Sequence, residues 1–203
     1  MNNSNSYYDG LSICVHLDPV LDTIAPSEIH LFAYLACLLA LYRKQPVANW
    51  GYEFGAVEGG YPYSPFLDKS ITDLVDKGYL HRDTDAFLHV TPAGKDEFAW
   101  LQSMSAGSNR EEYVAGACDS ALSLPLGMIR EALNQSTDLR SARVSSHARH
   151  LPSDGGTQVL HDHFDVLSQA VGIDVQDLMI PAVIWLQFLS TAQNQTPDSH
   201  VEA

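Results

Sequence analysis

From Ile29 to Tyr42 the chain reads "IHLFAYLACLLALY", an apolar run whose one polar interruption is His30. A helix built from it is apolar nearly all round, which is the pattern of an element enclosed by others and not of one lying on a surface. The run is also shorter than the roughly 20 residues a membrane-spanning helix needs. The rest of the chain must therefore pack around this segment. Ser27 is the expected N-cap after Pro26, and Arg43 and Lys44 complement the C-terminal dipole of the helix.

The flanking sequence supplies the other elements. The opening "MNNSNSYYDG" is polar and expected to fray. Glycines and aromatics between Gln45 and Tyr63 exclude a long helix, leaving Val47 to Phe54 as a short one. Ser64 caps a helix that opens on Pro65, carries Phe66, Leu67, Ile71, Leu74 and Val75 at helical spacing, and stops at Gly78. "YLHRDTDAFLHVT" predicts a β-hairpin turning around Asp83 to Asp85, and Thr91 with Pro92 opens a further helix. Beyond Asn109 the pattern predicts helices over Arg110 to Ser120, Pro125 to Asn134, Gln158 to Val171 and Val175 to Ala192. A polar stretch near 136–157 is expected to be a mobile loop, and the tail from Gln193 to be disordered. The fold class is mainly α: a winged-helix half over 1–108 with a hairpin wing, then a helical half over 109–203.

Charge narrows the function. Asp and Glu number 25 against 11 Lys and Arg, a formal net charge of −14, and no Lys or Arg follows Arg149. Nucleic-acid affinity comes largely from cations neutralising phosphates, so the chain alone is expected to bind DNA weakly or not at all. The expected recognition helix, "SPFLDKSITDLVDKG", sets Lys69 and Lys77 against Asp68, Asp73 and Asp76. A groove-reading helix normally presents Arg, Lys, Asn or Gln instead. The N-terminus lacks the positive start and apolar core of a signal peptide, and Cys14, Cys37 and Cys118 are odd in number and widely spaced. A reducing, cytoplasmic setting without a membrane span is expected.

Three local motifs go beyond a generic winged helix: "GGYPYSP" ahead of the recognition helix, "LVDKGYL" at its end, and "LHVTPAGKDEF" leaving the wing. Over Pro26 to Met104 this grammar resembles the middle components of ABC three-component antiphage systems, with which the C subunit of Lamassu-type systems belongs, and the SocA-like domains. The resemblance implies an adaptor between an SMC-like or Rad50-like ATPase and an effector of nuclease type. A winged-helix transcription regulator acting as a dimer and an antitoxin-like protein are the alternatives.

Candidate sites follow from residue type. Trp50, Tyr61 and Tyr63 before the recognition helix, and Asp174, Asp177, Trp185 and Phe188 on the C-terminal segment, are the expected partner contacts, because large rings anchor interfaces and acids suit a basic partner. Arg140, Arg143 and Arg149 form the one basic concentration and are candidates to touch DNA or an acidic surface. In "VLHDHFDV" His161 and Asp165 stand one helical turn apart and could share a metal, but a polar first helical turn is the favoured explanation and no metal or cofactor is expected. No phosphate-binding loop, nucleophile elbow, zinc-protease motif or dinucleotide fingerprint occurs, so no catalytic residue is assigned and a non-enzyme is expected.

Overall fold

Helix α2 (Pro26–Tyr42) is buried without a break from Glu28 to Tyr42 in the structure, a computed structural model. The described residues are 3–56, 61–140, 149–152 and 154–192. The enclosure expected of an all-round apolar helix is met by α1 (Ser4–Leu17), α3 (Pro65–Asp76), α5 (Ser105–Ser123), α7 (Asp154–Val171) and α8 (Met179–Ala192), all of which pack on it. Helices α4 (Pro92–Gln102) and α6 (Leu126–Asn134) lie outside this shell, α4 on α1 and α5, α6 on α8. The described residues are thus mainly helical, with two small antiparallel sheets among them. No helix among the described residues is long and apolar enough to cross a membrane.

The N-terminus corrects one expectation. Asn3 accepts N–H bonds from Asn5 and Ser6 and so caps α1, whose residues from Tyr8 to Cys14 are buried. The polar residues that suggested fraying are satisfied inside the protein: Ser6 Oγ lies 2.8 Å from Ser70 Oγ, and Asp9 is paired with Arg110. At α2 the N-cap is Ala25, not Ser27, because the Glu28 carboxylate accepts the Ala25 N–H at 2.8 Å.

Around α3 the local chemistry is as read. Ser64 occupies the N-cap position with Pro65 behind it, although its hydroxyl makes no capping bond. Gly78 adopts φ +76°, its N–H donating to Val75 O and the Tyr79 N–H to Leu74 O, the paired bonds of a Schellman stop. Strands β3 (Leu80–Arg82) and β4 (Leu88–Val90) form the hairpin, with Asp83 accepting the Asp85 and Phe87 N–H groups in the turn. Leu88 also bridges to Ile24, ahead of α2. Thr91 then caps α4 by accepting the Gly94 N–H at 3.1 Å.

The second sheet was not anticipated. Strand β1 (Phe54–Ala56) pairs with β2 (Pro62–Tyr63) on one edge and β5 (Arg149–Leu151) on the other. A 3₁₀ turn, Val47–Trp50, stands where a short helix was expected up to Phe54. The stretch 136–157 is accordingly not one loop: residues 137–140 are helical with Leu139 fully buried, β5 joins the sheet, and α7 begins at Asp154. The span 141–148 and the tail 193–203 lie outside the described residues. Helix α5 starts before Arg110, and the last helix begins at Met179 instead of Val175, after a connection in which Gly172 takes φ +98°. One apolar core runs from Tyr8 to Leu189, continuous across position 108.

Candidate functional site

Two polar centres tie α5 to α1, and together they decide what the interior offers. Asp9, with no exposed surface, receives Arg110 Nε at 2.8 Å and Nη2 at 2.5 Å, and the Tyr52 hydroxyl at 2.6 Å. Arg110 Nη1 donates to Trp50 O at 2.7 Å, while the guanidinium lies flat against the Trp50 ring, 3.8 Å from its centroid. Burial opposes the Arg110 charge, but Asp9 overcomes it and holds the guanidinium pKa above its ordinary value. One residue further on, Glu111 accepts from Tyr8, Ser12 and His16 at 2.5, 2.9 and 2.6 Å. That bond raises the His16 pKa against the effect of burial. A cleft of about 600 Å³ opens beside Trp50, Arg110 and Tyr113, but the Arg110 charge is already spent on Asp9.

The three thiols and one buried histidine are held in their neutral forms. Burial pushes the Cys37 thiol up to about 12 and raises Cys14 and Cys118 as well, so none carries thiolate character near neutral pH. His30 is pushed down to about 4 by burial, and its Nδ1 accepts the Ser64 N–H at 3.2 Å, which makes it a neutral structural acceptor. In the His161 to Asp165 cluster, Asp165 is ion-paired with Lys44, Asp162 accepts from Gln158, and the His163 ring meets Phe188 edge-on at 5.2 Å. Among the described residues no group of three or more His, Cys, Asp or Glu side chains is disposed to hold a metal ion.

The face of α3 is acidic in fact as well as in sequence. Lys69 pairs with Asp73 at 3.6 Å, and Lys77 donates to the Tyr7 hydroxyl at 3.1 Å while resting 4.4 Å from that ring. Asp68, Asp76 and Phe66 are exposed, and Arg82 is exposed at the end of β3. Of the basic candidates, Arg140 is exposed at the end of its helical turn, Arg143 lies outside the described residues, and Arg149 contributes its backbone to β5.

The expected aromatic anchors divide. Trp50 is buried under Arg110 and beside Tyr52 and Tyr113, and Trp185 is buried against Phe164, 5.3 Å between centroids. Both are core residues: each ring fills space between helices, so neither is free to anchor a partner. Tyr63 is half-buried over His30, whereas Tyr61 and Phe188 are exposed. Asp174 is 97% exposed, reaching Arg43 only at 3.8 Å, and Asp177 is exposed with its carboxylate accepting the Met179 N–H.

Phe188 was an expected contact, but the exposed aliphatic side chains near it were not anticipated. Ile180, Ile184 and Phe188 on α8 are 39, 41 and 49% exposed, and Val166 on α7 is 69% exposed. Their one-turn spacing, i, i+4, i+8, was the available signal, masked because α8 is apolar on its inner face too. No known protein family matches the chain, and no curated protein or solved structure shows significant similarity to it.

Proposed function

We propose that this protein is a non-catalytic, cytoplasmic adaptor that joins an SMC-like ATPase to an effector in bacterial antiphage or antiplasmid defence, using a winged-helix half as a docking platform. The winged-helix reading is supported by the order of elements: α1, the Ile24 bridge, α2, α3, then the β3–β4 hairpin against which Ile24 pairs. The observation that carries the adaptor reading is the state of the α3 lysines. Lys69 is paired with Asp73 and Lys77 rests on Tyr7, and against these two exposed cations the helix carries three acids, Asp68, Asp73 and Asp76, with Phe66 exposed. Such a surface repels phosphate and suits protein contact.

Two measurements test this. The isolated chain should bind duplex DNA no more tightly than the 10⁻⁴ to 10⁻⁶ M typical of non-specific binding, roughly, in about 150 mM salt. Submicromolar, salt-dependent binding would favour a dimeric transcription regulator. Co-expression with the products of adjoining genes should yield a stable complex containing an ATPase and an effector, and failure of both to co-purify would overturn the adaptor reading.

A further inference from the structure

The two C-terminal helices touch where α7 meets the outer half of α8, and exposed apolar side chains stand on both. Phe164 packs on Trp185 and His163 on Phe188, which sets the register between α7 and α8. Val166 lies one turn beyond His163 on α7, and Ile184 one turn before Phe188 on α8, so each is one helical turn from the His163–Phe188 contact along its own helix. Ile180 extends the row by another turn, giving a strip about 12 Å long from residue 180 to 188 at helical rise.

Acid borders this strip at both ends. Asp174 and Asp177 precede Ile180, with Asp119 close enough to Asp177 for its own carboxyl to feel that charge, and Asp162 lies near His163, whose ring meets Phe188. Arg43 and Lys44 pair with Asp174 and Asp165, which leaves the acids in surplus. Two copies of the chain meeting here would press acidic rims together, since the rim's two cations, Arg43 and Lys44, are outnumbered by Asp119, Asp162, Asp165, Asp174 and Asp177. The segment 193–203, "QNQTPDSHVEA", carries Val201 as its one branched aliphatic residue and is otherwise nearly all polar, a poor cover for three large side chains.

We infer that the α7–α8 ridge seats a basic amphipathic helix of a partner protein, its apolar stripe on Ile180, Ile184 and Phe188 and its Lys or Arg residues against the acidic rim. A straight row of anchors at one-turn spacing fits a helix laid along it, and the surrounding acids select cationic flanks. The inference rests on the adaptor reading for its biological partner, but not for its chemistry.

The test uses the full chain and a fluorescent synthetic amphipathic helix of Leu and Lys, with a control in which Glu replaces every Lys. The Lys helix should bind and the Glu helix should not. Ile184→Asp and Ile180→Asp should each weaken binding on the order of tenfold or more. Asp174→Asn with Asp177→Asn should weaken it mainly at low salt. Circular dichroism should show both Ile variants folded, because these side chains are partly in water already. Equal binding of the Glu helix, undiminished binding by Ile184→Asp, or a wild-type dimer dissolved by Ile184→Asp would each overturn the inference, the last by assigning the ridge to a second copy. If the Lys helix binds the ridge but no ATPase co-purifies, the adaptor reading falls and the ridge stands. If the ATPase and the effector both co-purify equally with Ile184→Asp, the adaptor reading stands and the ridge falls.

Discussion

Removing one member of the Asp9–Arg110 pair is predicted to be among the most damaging single changes available to this protein. Asp9→Asn leaves the guanidinium enclosed with a neutral amide, its remaining strong acceptor being Trp50 O, and deprives the Tyr52 hydroxyl of a charged partner. Breaking a buried ion pair by deleting one partner typically costs about 3–5 kcal/mol, a large share of the 5–15 kcal/mol by which domains are stable, roughly. Arg110→Met should cost a similar amount, since it strands the Asp9 carboxylate with no exposed surface. The double variant, however, strands neither charge, so it should lose less than the sum of the singles by about 2 kcal/mol or more. Urea unfolding followed by circular dichroism measures all three. A loss under about 1 kcal/mol for either single, or strict additivity, would refute the view that the pair is held as a compensated buried unit.

Other predictions follow the same physics. His16 has a raised pKa because it bonds Glu111, and Glu111, though burial pushes it up, is pulled below its ordinary value by bonds from His16, Tyr8 and Ser12. Their joint contribution is therefore complete between the ordinary values of 4.5 and 6.5. It fades as pH rises through the raised His16 pKa and as pH falls through the lowered Glu111 pKa. Melting temperature against pH should flatten on both limbs in Glu111→Gln, and parallel curves would place the pH dependence elsewhere. Gly78→Val should cost on the order of 1 kcal/mol or more through its positive φ alone, since an added Cβ meets nothing within 4 Å. In contrast, Gly10→Ala should stabilise α1 by about 0.5–1 kcal/mol, as its Cβ would make ordinary contacts with Leu74 and Leu67; a lower urea midpoint would show that α1 cannot accept the methyl. Trp185→Ala should destabilise the isolated chain by about 3–5 kcal/mol. Ile184→Asp should leave it folded, and the opposite ranking in thermal melts would reverse the assignment of core and ridge.

What the sequence alone determined is what depends on neighbours a few positions away or on the periodicity of one segment. A nearly unbroken apolar run required α2 to be enclosed, a glycine after "LVDK" stopped α3, the hairpin between Leu80 and Val90 followed from two short apolar segments around a polar turn, and Thr91 before Pro92 capped α4. Each is a local rule, and each held. The acidity of α3 was equally legible, because no fold changes the residues a helix carries.

Tertiary structure decided what depends on distant partners. The polar N-terminus is a buried helix only because Arg110, 101 residues away, reaches Asp9, and Glu111 gathers Tyr8, Ser12 and His16. Strand β5 is three residues long and has a partner only once β1 stands beside it. On α8, nearly every position is apolar, so periodicity could not say which side faces inward. Packing against Phe164 drew Trp185 into the core and left Ile180, Ile184 and Phe188 outside. A polar residue reads as exposed until its partner is known, and an apolar helix has no outside until its neighbours choose one.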